Sequence, residues 1–108
     1  MVTKYKEIIN KFNYQIVELQ SKRVAEILDV LAHDSIMLGW RILSIEGMEF
    51  ALDQGSLNAK ITCIFKHPDH PEHGEIYTRG TIRIHSVPGN SPVWDEIVSQ
   101  DVLEDYDE

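Results

Sequence analysis

Residues 57–65 read LNAKITCIF, and this stretch decides the fold. Leu57, Ala59, Ile61, Cys63 and Phe65 alternate with Asn58, Lys60, Thr62 and Ile64. Successive side chains of a strand point to opposite faces, so this spacing predicts a strand with one buried face. The same alternation recurs on either side. Downstream, beyond a loop at 67–74, Ile76, Thr78, Gly80, Ile82 and Ile84 alternate with Tyr77, Arg79, Thr81, Arg83 and His85. Upstream, Met48, Phe50 and Leu52 alternate with Glu49, Ala51 and Asp53, and Gln54-Gly55 supplies the turn between. Earlier still, Arg41, Leu43 and Ile45 share one face and Trp40, Ile42 and Ser44 the other, with Glu46-Gly47 read as a short turn. Four strands joined by short connections predict an antiparallel meander.

One face of that sheet is apolar and needs a cover. Tyr5, Ile8, Ile9, Phe12, Ile16 and Leu19 follow the i, i+3, i+4 spacing of a one-sided helix, with Thr3 as a cap. Val24, Ile27, Leu28 and Leu31 continue the stripe after Ser21, a second N-cap candidate. Neither Pro nor Gly interrupts residues 4–33, so one bent helix and two consecutive helices both fit. Ser35 to Leu38 add a further turn, closed by Gly39 as a residue that tolerates positive φ. Near the other end, Ser91 and Pro92 read as an N-cap and first-turn pair. Val93, Trp94, Ile97 and Val98 then predict a short C-terminal helix, followed by an acidic tail whose residues 104–108 fray. The expected fold is therefore α+β in a single domain over 1–108: an N-terminal helical cover, a four-stranded antiparallel meander, a short helix and a tail. A long helix laid across a curved antiparallel sheet is similar in architecture to cystatin-like and NTF2-like folds, which host many unrelated functions.

The net charge of −8 is unevenly spread. Residues 1–66 hold eight acids and eight bases, whereas residues 67–108 hold ten acids against Arg79 and Arg83 alone. This distribution disfavours nucleic acid as a partner and favours a basic protein. Apolar runs fall far short of the roughly 20 residues that span a bilayer, so no membrane partner is expected. Lys4, Lys6, Glu7 and Lys11 break up any apolar leader, and Cys63 stands alone without a disulfide mate. Both features point to the cytoplasm.

Three constellations carry chemistry. His67, His70 and His73 recur every third residue between Pro68 and Pro71. In a polyproline II stretch they share a side and form a metal-site candidate, with Asp69, Glu72 or Glu75 adding an oxygen. Lys60, Lys66, Tyr77, Arg79, Arg83 and His85 fall on the polar faces of two adjacent strands, a candidate anion-binding surface over which the acidic C-terminal segment can also fold back. Trp94, Asp95, Glu96, Asp101, Glu104 and Asp105 combine an aromatic anchor with carboxylates, the candidate contact for a basic partner. Catalytic signals are weak. There is no Gly-x-Ser-x-Gly elbow and no Gly-rich phosphate loop, and Cys63 falls on the apolar side of its strand. His33 and Asp34 form the one acid–base pair of note, at the end of the helical part. The expectation is a non-enzymatic, cofactor-free adaptor or inhibitor. The alternatives are a ligand pocket between helix and sheet, with His33, Asp34 or Trp40 at its mouth, and metal binding through the His loop. Ile42 and Ile64, placed on the otherwise polar side, suggest a homodimer contact.

Overall fold

A computed structural model describes residues 9, 11–69, 71, 72 and 74–106. The expected Thr3 cap, the contributions of Tyr5 and Ile8, and the last two tail residues lie outside this set. The elements are α1 (Lys11–Leu19), α2 (Ser21–Met37), β1 (Arg41–Asp53), β2 (Ser56–Lys66), β3 (Tyr77–Ser86) and β4 (Val93–Val102). The fold is α+β, with two helices on one antiparallel sheet of order β1-β2-β3-β4.

The helical stretch is two helices, jointed at Gln20 (φ −119°, ψ 32°) rather than capped by Ser21. The joint loses little hydrogen bonding: Gln20 N–H reaches the Ile16 carbonyl and Val24 N–H the Gln20 carbonyl, both at 2.9 Å. Along α2, Val24, Ile27, Leu31 and Ser35 are buried, and the Ser35 hydroxyl satisfies itself on the Leu31 carbonyl at 2.7 Å. Arg23 anchors the start of α2 to the end of β3 by donating to the Ser86 carbonyl at 2.7 Å. At the far end, Gly39 (φ 78°) donates to the Ile36 carbonyl and Trp40 N–H to the Ser35 carbonyl. This is a Schellman closure, and it delivers Trp40 straight from helix to sheet.

The meander's four strands are not quite the expected four. Glu46-Gly47 is no turn. β1 runs unbroken through it, with an extra residue at Leu43 and another at Glu46 in the pairing with β2. These bulges turn Ile42 and Ile45 to the same face as Phe65 and Cys63, so Ile42 joins the core side rather than the polar side. The expected C-terminal helix is instead β4, paired along β3 from His85↔Val93 to Thr78↔Val102. The β-branched Val93, Ile97, Val98 and Val102 suit a strand better than a helix. Part of the tail also has partners: Leu103 N–H donates to the Tyr77 carbonyl at 2.8 Å, and Tyr106 lies 5.0 Å from the Tyr77 ring.

Between helices and sheet sits one core. Leu57, Ala59, Ile61, Cys63 and Phe65 of β2 meet Ile82 and Ile84 of β3, and Ile27 and Leu31 lie over them. All are essentially inaccessible to water. Gln54 and Gly55 turn β1 into β2 with φ of 51° and 83°, the two positive values that a type I′ hairpin demands.

Candidate functional site

The outer face of the sheet carries the proposed anion-binding residues, and the structure surrounds them with carboxylates. Lys60 stands opposite Glu49 on one side and Arg83 on the other. Lys66 donates to Glu75 at 2.9 Å, and the Tyr77 hydroxyl donates to the other oxygen of the same carboxylate at 2.9 Å. The Lys66 and Tyr77 hydrogen bonds hold the Glu75 carboxyl below the usual range and raise Lys66 and Tyr77 in turn. Arg79 grips both oxygens of Glu46 across β2, and Arg83 pairs with Glu96 of β4. His85 hydrogen-bonds Asn58. Thr62 and Thr81 join hydroxyls at 2.8 Å in the middle. The acidic segment thus lies beside the basic face as its neighbouring strand, and supplies Glu96 to Arg83 and Asp101 to the field at Arg79. Ile64 is buried among these long side chains, so Ile42 and Ile64 do not make one exposed patch.

Of the His loop, only His67 is described among the three histidines; His70 and His73 lie outside the described residues. His67 points inward. Its ring lies 4.6 Å from Trp40, and its Nε2 is 2.7 Å from the Thr78 hydroxyl and 3.4 Å from the Gln100 amide. Among the described residues no three His, Cys, Asp or Glu side chains gather as metal ligands. Burial lowers the His67 pKa from 6.5. The folded value thus lies below the unfolded one, so the stabilisation is complete above about pH 6.5 and is lost as pH falls through the lowered folded value. Acidification below pH 6.5 is expected to change the tryptophan emission, and His67→Gln is expected to remove that component. An acid titration identical in parent and variant would refute this assignment.

Trp40 is the hub of the third region. Its ring meets Phe65 at 5.3 Å, His67 at 4.6 Å and Trp94 at 6.2 Å, each edge to face. Both tryptophans of the chain therefore stand at one place, where the end of α2 overhangs β4. Asp34, Met37, Leu38, Trp40, Trp94 and Ile97 line a notch there of about 480 Å³. Asp34 supplies its carboxylate, which the exposed His33 ring approaches at 3.1 Å. A second hollow of about 460 Å³ opens on the other side of Trp40, between Ala32, Ser35 and Ile36 of α2 and Arg41 and Ile42 of β1. Of His33, Asp34 and Trp40, the notch is lined by Asp34 and Trp40, while the His33 ring is exposed beside Asp34.

Large apolar side chains at the end of α2 and along β4 are left in water. Ile36 and Met37 are 73% and 74% exposed, Leu38 is 51% exposed, and Val93 and Val102 of β4 exceed 60%. Asp95, Glu96, Asp101, Glu104 and Asp105 are all exposed along the same edge, while Trp94 is half-buried. The sequence reading singled out Trp94 and these acids and ended the helical part with the turn Ser35 to Leu38, but did not bring Met37 and Leu38 together with Trp94. Their signal was present: an apolar last turn of α2 beyond the residues that the core needs. Comparisons with protein-family models, curated proteins and solved structures find no match for the chain. Among the described residues no helix is long and apolar enough to cross a membrane.

Proposed function

We propose that the chain is a non-enzymatic binding protein, an adaptor or inhibitor that holds a basic protein partner through Trp94 and the acids Asp95, Glu96, Asp101, Glu104 and Asp105. The observation that carries this reading is the coincidence of exposed apolar side chains, a tryptophan pair and five carboxylates along one edge of the molecule. Contiguous exposed apolar surface rimmed by charge is a mark of interaction sites. Aromatic anchors carry much of the energy of such contacts, and the acids would steer a cationic partner and select against an acidic one. Cys63, the one thiol, is no competing catalytic candidate: burial pushes its pKa up to about 12, far from the thiolate that a nucleophile needs.

The test is affinity capture from lysate with the intact chain, with Trp94→Ala, and with a variant neutralised at all five acids. Basic proteins are expected on the intact chain, to be lost from both variants, and to elute as salt rises. Retention of the same proteins by folded variants would sink the reading.

A further inference from the structure

We propose that β4 takes up an extended, alternating apolar and basic segment of the partner as a fifth strand of the sheet. This deepens the function proposed above and rests on it.

The two edges of the sheet are treated differently. At β1, helix α1 lies against the strand, and the Asn13 side-chain oxygen accepts the Phe50 N–H. That plug occupies a backbone donor that an incoming strand would need. β4 ends the sheet on the other side, and among the described residues no strand pairs with its outer edge. Such an edge presents a row of backbone donors and acceptors ready for another chain. Bulges at Asp95 and Val98 interrupt β4, but residues 99–102 pair in unbroken register with β3, so their outer edge is regular.

The register also says which sequence would fit. Trp94, Ile97, Gln100 and Val102 share the core-side face of β4, with Trp94 and Ile97 beside Met37 and Leu38 in the overhang of α2. Val93, Glu96, Ser99 and Asp101 share the outer face. A neighbouring strand alternates in the same way. Its apolar side chains would lie against the notch side and its cations beside Glu96 and Asp101, with Asp95, Glu104 and Asp105 adding to the field. Arg79 and Arg83 are the only cations of the adjoining strand. A second copy of this chain is a poor occupant, because β4 against β4 sets these acids against one another.

The experiment uses synthetic ten-residue peptides and the full chain. One peptide alternates lysine and valine, one alternates glutamate and valine, and one carries the lysine composition in blocks. Binding is followed by tryptophan emission, since both tryptophans stand at the notch. The alternating lysine peptide is expected to bind at least about tenfold more tightly than either other peptide, and less tightly as salt rises. N-methylation of one alternate set of its amides is expected to weaken it about tenfold or more, while the other set is tolerated, because a strand turns only every second N–H toward its neighbour. Amide hydrogen exchange is expected to slow at residues 99–102 and not along β1. If the lysine peptide binds but is indifferent to N-methylation and pattern, strand addition is overturned and the basic-partner reading stands. If no lysine peptide binds, and the five-acid variant behaves as the parent does in capture, both are overturned. If the chain alone sediments as a dimer with residues 99–102 already protected, the edge belongs to a second copy and the proposal fails.

Discussion

Phe65→Ala is expected to lower the stability of the chain by about 3–5 kcal/mol, the range for removing a buried aromatic ring. Phe65 is wholly buried and lies over Gly80, where an added Cβ would come within 3.3 Å of the ring. The ring therefore occupies the space that the glycine leaves open, and on its other side it supports Trp40 at 5.3 Å. Alanine would leave a void on the core face over β2 and β3 that neither Gly80 nor the rigid sheet can fill. Urea unfolding is the measurement, with the midpoint displaced and the slope unchanged. A loss below about 1 kcal/mol would mean that the core collapses around the gap and that Phe65 is not the support of the tryptophan cluster. Trp40 should lose its seat as well, so the emission spectrum of the folded variant is expected to differ from that of the parent.

Asn13→Ala is expected to cost about 1–3 kcal/mol, because it strands a buried backbone donor. Asn13 is 93% buried on the inner side of α1, being 7% exposed, and its oxygen takes the Phe50 N–H from the edge of β1. Faster hydrogen exchange at the Phe50 amide, with the rest of β1 little changed, is the specific signature. A variant as stable as the parent, with Phe50 exchange unaltered, would show that the helix shields the edge by bulk alone. The effect on stability comes from one side chain, but its location makes it a guard as well: it is what distinguishes the β1 edge from the β4 edge.

How much of this was legible in the sequence follows from the strands themselves. The central strands β2 and β3 keep a strict period of two over their whole length, so their faces and their contribution to the core were readable, whereas the pairing register was not, because the connection between them sets it. The outer strands do not. In β1 the bulges at Leu43 and Glu46 put Ile42, Ile45 and Met48 on one face, three residues apart. In β4 the bulges at Asp95 and Val98 do the same for Trp94, Ile97 and Gln100. Each bulge adds a residue to one side of the ladder, and a strand interrupted in this way imitates the spacing of a helix. That is why residues 93–98 read as a helix and why Glu46-Gly47 read as a turn. The acids of the candidate site were visible as composition. The notch was not, because it joins the last turn of α2 to a strand more than fifty residues away in the chain.

The single thiol gives the molecule a clock. Cys63 faces the core from the middle of β2, fully shielded, with burial holding its pKa near 12. A thiol reagent reaches it only when the sheet parts from the helices, so the rate of its labelling in native buffer counts those openings directly. A cysteine placed anywhere on the surface would react long before it. The native chain therefore accepts a dye at a chosen position without first losing its own cysteine, while the unlabelled thiol goes on recording how often the whole fold comes apart.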